Sequence, residues 1–477
     1  MAAAGESSPL FPFIVGGARL DPAQMVTVTS PFSGDAVGRC GEAMALEVQR
    51  ALDAAAAARP AMAALDLAAR RQALLELEAR VRARQDDFAA LMAGEAGKPM
   101  RDAQGEVQRA LVTLRAAAEA AAGLADELPR LDAAPGGAGR LALLRRFPLG
   151  LVAGVTPFNF PLNLVLHKLA PAIAAGNSIV LKLSPRAPLT GLLLGALTLE
   201  CDLPPGAVNV LAGGAEPVEQ ILTDSRLALF SFTGSAAVGW LLKTRPVRAR
   251  VVLELGGNAA NIVHRDADLA AAAGKLVAGA FRFAGQSCIS VQRVFAHRDI
   301  YEELRERLIA GAKGLRLGDP LDATTDVGPM ITEAAACRIE EWVGEAVALG
   351  ARIALGGRRD GGFFDPTILE NVPPQARVWR EEAFAPVLAL KPYAEPAEAI
   401  AEANAGRYGL QAGLFTRDLE FVQRAFREIE VGGLMINEAS SFRLDPMPYG
   451  GVKDSGLGRE GIRYAIEHMT EPRLLLM

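Results

Sequence analysis

The stretch from residue 151 to residue 183 reads LVAGVTPFNFPLNLVLHKLAPAIAAGNSIVLKL, and it sets the architecture of the chain. Short apolar runs open and close it, LVAGV (151–155) and SIVLKL (178–183), and a longer segment separates them. The alternation continues in three further apolar runs, AVNVLA (207–212), ALFSFTG (228–234) and VVLELGG (251–257). Continuous apolar strands separated by helices are typical of a parallel sheet that is covered on both faces. We therefore predict α/β architecture.

The segments on either side extend this pattern. Residues 45–95 predict a helix, because apolar residues fall on one stripe and Glu76 stands four residues before Arg80. The stripe consists of Leu67, Leu74, Leu77, Val81 and Phe88. A second α/β block runs from about residue 258 to residue 450. The last residues, PRLLLM (472–477), predict an apolar edge strand that another segment or subunit must cover.

Composition excludes several classes of protein. The 477 residues allow two or three domains at roughly 100–200 residues each. With 51% hydrophobic and 22% charged residues and a formal net charge of −5, the chain has no basic nucleic-acid footprint. It shows neither a signal-peptide pattern nor a run of about 18 uncharged apolar residues, so we expect a cytoplasmic protein. The cysteines are widely spaced without CxxC, so we expect neither a disulfide framework nor a metal site.

One of these cysteines stands in a setting that suits a nucleophile. Cys288 lies in FRFAGQSCISVQR (281–293), beside small and polar residues and outside any apolar run. A cysteine nucleophile needs approach space and a means of reaching its thiolate. A lone cysteine is more often an inert core residue, so both interpretations stay open at this point.

Two other segments carry candidate catalytic side chains. Glu254, in LELGGNAAN (253–261), ends an apolar strand, and a partly desolvated carboxyl has a raised pKa that suits a general base. The alternative is a structural glutamate that caps the next helix. Asn159, in TPFNFPLN (156–163), lies between prolines that stiffen its loop, as an oxyanion donor requires. The alternative there is an ordinary turn.

Phosphate-binding features are weaker. Lys182 ends the strand SIVLK, where cofactors sit in parallel sheets, and FTGSAAVG (232–239) places Ser235 near a helix start that offers free N–H groups. The sequence GLGREG (456–461) matches the dinucleotide fingerprint G-x-G-x-x-G. It lacks the preceding strand and the βαβ context that the fingerprint requires, so a turn opening a helix is the better interpretation.

Taken in order, these motifs point to one family. They are TPFNFPLN, IVLKLS (179–184), FTGSAAVG, LELGG, GQSC, EEAFAPV (381–387) and PYGGVKDSGLGREG (448–461). From about residue 25 to residue 477 the chain resembles the aldehyde dehydrogenase superfamily. The stretch around GQSCISV is similar to its lactaldehyde-type branch.

The resemblance implies two doubly wound α/β domains, one nicotinamide-binding and one catalytic, with a β-hairpin for oligomerisation. The nicotinamide-binding domain would comprise residues 1–124 and 145–256, and the catalytic domain residues 257–453. The oligomerisation element would comprise residues 125–144 and a C-terminal strand at 465–477. The chain would form a homodimer or homotetramer.

The resemblance also assigns roles to single residues. Cys288 would be the nucleophile, Glu254 the general base that activates water, and Asn159 the side-chain oxyanion donor. Lys182 would meet the adenosine ribose of NAD or NADP, Ser235 the pyrophosphate, and Glu382 and Phe384 the nicotinamide ribose and ring. Further cofactor contacts would be Thr156, Phe158, Ser184, Gly214, Gly234 and Leu255.

Three positions depart from the family pattern. Ser184 stands where many members carry a glutamate that favours NAD, so the choice between NAD and NADP stays open. Ala385 replaces a usual glycine. Ser287 stands where relatives that act on phosphorylated aldehydes often carry arginine, which argues against that mode of binding.

Two arginines and Ser287 are candidate substrate contacts. Arg282 lies six residues before Cys288, where relatives line the aldehyde tunnel, and Arg443 lies in SSFRLDP (440–446). A charge in a tunnel is costly unless it is paired. Each arginine therefore either pairs with Asp445 or another local acid, or binds an anionic or hydroxylated aldehyde.

Two rival functions remain at this stage. A CoA-acylating semialdehyde dehydrogenase of the same fold would release the thioester to a thiol, but such members usually lack a base at the position of Glu254. A structural or binding protein that kept the fold would not need intact Cys288, Glu254 and Asn159.

Overall fold

The structure is a computed structural model that describes residues 8–123 and 126–477. The predicted α/β class is confirmed. Strands form two large sheets, sheet A and sheet B, together with several small ones. The predicted domain boundary at residues 124–125 lies outside the described residues.

Sheet A contains the apolar runs that open the sequence argument. Its strands, in spatial order, are Gly456–Leu457, Arg250–Glu254, Leu227–Thr233, Leu151–Val155, Ser178–Leu183, Val208–Ala212, Phe13–Val15 and Ala18–Leu20. The five central strands run parallel, and the edge strands are antiparallel. The chain leaves Leu151–Val155 towards one edge and returns to pair on its other side with Leu227–Thr233. Such a switch point is where open α/β sheets bind ligands.

Sheet B is built from the second α/β block. In spatial order its strands are Arg352–Leu355, Thr367–Glu370, Val387–Tyr393, Val291–His297, Ala259–Val263, Gln411–Phe415 and Gly433–Ile436. All neighbours run parallel except Arg352–Leu355, which is antiparallel to Thr367–Glu370.

The C-terminal strand pairs within the chain. Thr470–Leu476 runs antiparallel to Ala142–Pro148, so another segment covers one of its edges, as predicted. Residues 465–468, which we predicted as part of this strand, are instead the end of the helix Ile462–His468. Short sheets complete the strands: Leu10–Phe11, Ala36–Gly41 and Met25–Thr29; Arg359–Asp360 and Phe363–Phe364; Tyr408–Gly409 and Val452–Lys453.

Helices cover both large sheets. In the described part of the chain they are Ala45–Ala64, Leu67–Ala83, Gln85–Ala96, Met100–Ala122, Asn163–Ala175, Leu189–Thr198, Glu216–Thr223, Ala236–Lys243, Leu269–Phe281, Tyr301–Lys313, Glu333–Ala348, Arg377–Arg380, Pro396–Asn404, Leu419–Glu428 and Ile462–His468. Two 3₁₀ turns are also present: Arg282–Gly285 directly follows the helix Leu269–Phe281, and Arg298–Ile300 directly precedes the helix Tyr301–Lys313. Within the described residues, every helix is too short or too polar to cross a membrane.

The single helix predicted over residues 45–95 is wrong. Three helices occupy this region, because Leu65 is extended and the Asp66 side chain accepts a hydrogen bond from the Ala69 N–H at 2.7 Å, which starts a new helix. Such capping satisfies N–H groups that a helix start leaves free. The predicted pair of Glu76 and Arg80 side chains does not form either, since the Arg80 guanidinium binds Glu200 at 3.2 Å.

Each large sheet has its own apolar core. A small cluster of Ile289, Leu410 and Tyr449, with Cys288 packed against it, forms a further apolar group. Glu254 ends a strand of sheet A, and Cys288 precedes a strand of sheet B. The candidate site therefore lies where elements of both sheets meet.

Candidate active site

The loop that carries Cys288 has an unusual backbone. After the helix Leu269–Phe281, the φ angles of Phe283, Ala284 and Gly285 are all positive, at 48°, 51° and 66°. A Cβ on Gly285 would lie 2.1 Å from the carbonyl oxygen of Ala385, so only glycine fits there. Non-glycine residues in this region are strained and cluster at functional sites.

The Cys288 thiol is half-buried and, within residues 8–123 and 126–477, hydrogen-bonds to one polar group. Its Sγ lies 2.8 Å from the Tyr449 hydroxyl. Burial raises the pKa of the Cys288 thiol to about 12, the negative charges of Glu382 and Glu254 act in the same direction, and Tyr449 and Arg443 oppose them. The thiol is therefore protonated at neutral pH, and attack on a substrate requires loss of that proton.

Glu254 is buried at the end of its strand in sheet A, with 2% of its surface exposed. Neither carboxylate oxygen has a hydrogen-bond partner among the described residues. Burial raises the pKa of Glu254 well above its ordinary value, and the charge of Glu460 adds to the shift. A carboxylate whose pKa is raised binds a proton more strongly, which suits a general base.

Lys168 and Glu460 form a buried ion pair beside Glu254, and sequence reasoning missed both. The Lys168 ammonium donates to Glu460 at 3.1 Å, to Ser231 at 2.9 Å and to Thr233 at 2.7 Å. Burial alone would raise the pKa of Glu460, but the positive charges of Lys168, His167 and Arg443 outweigh it and lower that pKa to about 2. One signal was available: Lys168 is a charged residue in a mostly apolar helix.

Asn159 lies close to the Cys288 loop. Its Nδ2 donates to the carbonyl oxygen of Gln286 at 3.0 Å, two residues before Cys288, and its side chain is buried. The Gln286 side chain in turn accepts from the Ile331 N–H at 2.9 Å. The Asn159 amide is thereby held in place, and an amide nitrogen has a second hydrogen that could serve an oxyanion.

Arg443 is buried in the same site. Its guanidinium carbon lies 3.6 Å from the centre of the Tyr449 ring, and its Nη2 lies 3.3 Å from Glu460. The acid that pairs with Arg443 is thus Glu460 rather than Asp445. The Arg443 Nε has no hydrogen-bond partner within the described residues, so a buried donor is left available.

Asp445 instead organises a neighbouring buried cluster, whose His167 Nε2 lies 3.4 Å from the Arg443 Nη2. It accepts from Arg109 at 2.8 and 3.1 Å, from Asn163 at 2.8 Å and from His167 at 3.0 Å. Burial opposes ionisation, but the hydrogen bonds from His167 and Arg109 hold the pKa of Asp445 well below its ordinary value. Asp445 therefore remains a carboxylate and fixes the loop that carries Arg443.

Arg282 and Ser287 occupy different surroundings. The Arg282 side chain is 56% exposed and lies 3.8 Å from Asp102, so it does not join Arg443 around Cys288. Ser287 is half-buried, and its N–H donates to the Gly285 carbonyl at 2.8 Å.

Lys182 and Ser184 lie at the carboxyl end of a strand of sheet A, as a nucleotide site requires. Burial lowers the pKa of Lys182 to about 8, and the charge of Glu42 opposes the shift. Glu42 comes from the loop before the first helix and was missed, because it is remote in sequence. The Ser184 hydroxyl accepts from the Arg186 N–H at 3.2 Å.

The switch point of sheet A carries the other predicted cofactor contacts. Ser235 caps the helix Ala236–Lys243, and its hydroxyl accepts from the Val238 N–H at 3.4 Å. The structure places the remaining ones at strand ends or beside them: Thr156, Gly214, Gly234 and Leu255. A helix start beside a buried lysine fits a pyrophosphate and a ribose.

Glu382, Phe384 and Phe158 are the predicted contacts of the nicotinamide end, and the charge of Glu382 acts on Cys288. The Glu382 carboxylate accepts from the Gly257 N–H at 3.0 Å, and burial raises its pKa to about 7. Phe384 has a positive φ of 47° and packs edge-on against Phe158, with ring centres 5.9 Å apart. An aromatic wall and a carboxyl group fit a nicotinamide ring and its ribose.

The chain is similar over most of its length to known aldehyde dehydrogenases. The sequence model described as the Aldehyde dehydrogenase family matches residues 20–475. A 3-sulfolactaldehyde dehydrogenase of Priestia aryabhattai is 50% identical over 395 residues, 83% of each chain. Aldehyde dehydrogenase 21 from Physcomitrella patens, in complex with the reaction product succinate, has a TM-score of 0.96 and 40% identity over 99% of this chain and 98% of its own. Glyceraldehyde-3-phosphate dehydrogenase GapN from Methanocaldococcus jannaschii DSM 2661, complexed with NADP, has a TM-score of 0.91 and 37% identity over 95% and 98%.

Proposed function

Because the chain belongs to the aldehyde dehydrogenase family, and so oxidises an aldehyde with a nicotinamide cofactor, we propose that it acts on a small anionic aldehyde through a thioester on Cys288. The observation that carries this proposal is the half-buried Cys288 beside a buried Glu254 whose oxygens lack partners in the described chain. A thiol and an unpaired carboxyl in one site supply a nucleophile and a base.

Cys288 begins the reaction. Its thiol loses a proton to solvent, the sulfur bonds to the aldehyde carbon, and the electron pair of the carbonyl bond moves to the oxygen. The Asn159 amide and the Cys288 N–H stabilise that oxyanion, and each such donor contributes about 10²–10³ in rate.

The cofactor is held by residues at the strand ends of sheet A and by the loop that precedes the strand Val387–Tyr393 of sheet B. Lys182 would bind the adenosine ribose, the start of the helix Ala236–Lys243 the pyrophosphate, and Glu382 and Phe384 the nicotinamide end. The chemistry that the nicotinamide supplies when bound is acceptance of a hydride from the substrate carbon. Phe158 and Phe384 exclude water from that end.

Glu254 completes the cycle. It takes a proton from a water molecule, the water oxygen bonds to the thioester carbon, and the carbon–sulfur bond breaks to release the carboxylate. Base catalysis of this kind is typically worth about 10²–10⁴. The presence of Glu254 supports hydrolysis over transfer to CoA, and product analysis with and without CoA separates the two.

The preference for an anion rests on Arg443. It is buried, charged and close to the reacting sulfur, and its Nε is an unused donor within the described residues. The similar proteins named for 3-sulfolactaldehyde and crystallised with succinate act on aldehydes with an anionic group, which supports the same class here.

We also propose the predicted division into two domains and an oligomerisation element, and assembly into a homodimer or homotetramer. The exposed leucines of the strand Thr470–Leu476 support an interface, because exposed apolar edges tend to be covered. All four cysteines are free thiols, which supports a reducing, cytoplasmic location.

A substrate panel tests the proposal. Reduction of NAD and of NADP is followed with 3-sulfolactaldehyde, succinate semialdehyde, lactaldehyde and a neutral aliphatic aldehyde of similar length. The proposal expects the highest kcat/KM with an anionic aldehyde. A neutral aldehyde as the best substrate would overturn the proposed substrate class and leave the family activity untouched.

A further inference from the structure

Tyr449 places its hydroxyl against the reactive sulfur. The side chain is 4% exposed, and the hydroxyl lies 2.8 Å from the Cys288 Sγ, its only polar partner among the described residues. The backbone of Tyr449 is anchored by two hydrogen bonds with Glu460, at 3.0 and 2.6 Å. The position of the hydroxyl is therefore set by the fold.

Arg443 fixes the ring of Tyr449. The guanidinium lies over the ring face at 3.6 Å from its centre, and Glu460 binds the same guanidinium at 3.3 Å. A cation over an aromatic face is attracted to the ring. Glu460 thus holds Tyr449 twice, once through the backbone and once through Arg443.

The direction of the hydrogen bond follows from the two acids. Burial raises the pKa of the Tyr449 phenol well above its ordinary value, and the neighbouring sulfur raises it further. A sulfur that has lost its proton can only accept a hydrogen bond, so the phenol is the donor once Cys288 has ionised. Burial and the negative charges of Glu382 and Glu254 raise the pKa of the Cys288 thiol. Among the groups that lower this pKa, the hydrogen bond from Tyr449 has the largest effect, and the charge of Arg443 has a smaller one.

We propose that Tyr449 is a further catalytic residue of this site, which donates a hydrogen bond to the Cys288 thiolate, and that Arg443 is the positioning residue that holds its ring. This inference rests on the proposed role of Cys288 as the nucleophile. It gives Arg443 a second task beside recognition of an anion.

The test is the rate at which iodoacetamide alkylates Cys288 across neutral to alkaline pH. Mass spectrometry of the Cys288 peptide separates this thiol from Cys337, which is also partly exposed. Loss of a hydrogen bond to a charged group predicts that Tyr449→Phe is alkylated about 10–100-fold more slowly at neutral pH. Because the pKa of the Cys288 thiol is raised to about 12, the alkylation rates of both proteins should rise with pH over this range, with the profile of Tyr449→Phe displaced to higher pH.

Tyr393→Phe is the matched control, since it also loses one buried hydroxyl, here bound to His264 at 2.8 Å and remote from Cys288. It should leave the alkylation profile unchanged. Arg443→Lys keeps the positive charge but loses the planar guanidinium that lies over the Tyr449 ring. Its alkylation profile should move in the same direction as that of Tyr449→Phe, but by a smaller amount.

Equal or faster alkylation of Tyr449→Phe would overturn the proposal, and so would an equal slowing in Tyr393→Phe. An unchanged profile for Arg443→Lys would overturn the positioning role. If Cys288→Ala kept its turnover, the proposed function would fail, while the alkylation profile would still decide whether Tyr449 stabilises the thiolate.

Discussion

Glu254 and Glu460 are two buried carboxyl groups in one site, and their surroundings move their pKa values in opposite directions. Lys168 donates to Glu460 at 3.1 Å, whereas both oxygens of Glu254 lack a partner in the described part of the chain. The pKa of Glu460 falls to about 2, and that of Glu254 is raised well above its ordinary value. Two neighbouring titratable groups whose surroundings move their pKa values apart are typical of active sites in which one group acts as an acid and the other as a base. Glu460 stays ionised, and Glu254 can exchange a proton.

Glu254→Gln should keep the first turnover and slow the later ones. Only the water step needs the base, so a pre-steady-state burst of reduced cofactor should be followed by turnover about 10²–10⁴-fold slower. Stopped-flow absorbance measures both phases. Because the pKa of Glu254 is raised, its carboxylate fraction grows as pH increases, and steady-state kcat of the unaltered protein should rise with pH. This rise should vanish in the variant.

Glu370→Gln is the control for loss of a buried carboxylate. Glu370 is 2% exposed in sheet B and binds Arg305 at 2.8 Å and Arg352 at 2.5 Å, so the change should lower Tm but leave the ratio of burst to turnover intact. Loss of the burst itself in Glu254→Gln would show that Glu254 acts before the thioester forms.

Arg443→Leu should lower kcat/KM for an anionic aldehyde. A charge-assisted hydrogen bond is worth about 1.5–3 kcal/mol, which corresponds to about 10–100-fold. A neutral aldehyde of equal length should lose much less. Arg282→Leu is the natural comparison, because the Arg282 side chain is 56% exposed. The ratio of kcat/KM values for the two aldehydes should change in Arg443→Leu and not in Arg282→Leu. An equal loss for both aldehydes in Arg443→Leu would mean that Arg443 does not recognise the anion.

Ser184→Glu should raise the preference for NAD over NADP. A carboxylate at the end of the strand Ser178–Leu183 would accept hydrogen bonds from ribose hydroxyls and repel a 2′-phosphate. Ser184→Ala removes the hydroxyl without adding charge. Its kcat/KM with NADP should stay closer to that of the unaltered protein than the value for Ser184→Glu does. The kcat/KM values with both cofactors check this, and a preference that Ser184→Glu left unchanged would place Ser184 away from the ribose.

Asp445→Asn should lower the free energy of unfolding and make it depend less on pH in acid. Removing one partner of a buried ion pair costs about 3 kcal/mol. Since the pKa of Asp445 is lowered in the folded protein, its stabilising contribution is present above its unfolded pKa of about 3.9 and is lost as pH falls below that value. Urea unfolding at neutral and acidic pH should show that the free energy of unfolding falls less with acid in the variant than in the unaltered protein. An equal fall in both proteins would contradict this role of Asp445.

The fold was largely readable from local pattern. The apolar runs of sheet A were predicted within three residues at either end, because buried parallel strands are continuous apolar runs. The breaks between helices at Leu65 and Arg84 were not predicted. An apolar stripe continues across a short kink, so its periodicity does not mark the break. The Asp66 cap was a usable local sign.

Side chains that meet only in the folded chain were harder to predict. Tyr449 lies 161 positions from Cys288, and Lys168 lies 292 positions from Glu460, so sequence spacing does not connect them. Glu460 lies inside GLGREG, and neither the nucleotide fingerprint nor the family motif that contains this stretch assigned a role to Glu460. Lys168 could have been found, because a lysine in an apolar helix needs a buried partner.

The central claim is that the Cys288 sulfur forms the thioester, and Cys288→Ala tests it most directly. The variant should bind NAD or NADP with nearly unchanged Kd, measured by fluorescence titration, because no cofactor contact is removed. Its aldehyde oxidation should fall to background for every aldehyde in the panel. Activity above a few per cent of the unaltered protein, with the fold intact, would contradict the account and move the nucleophile elsewhere.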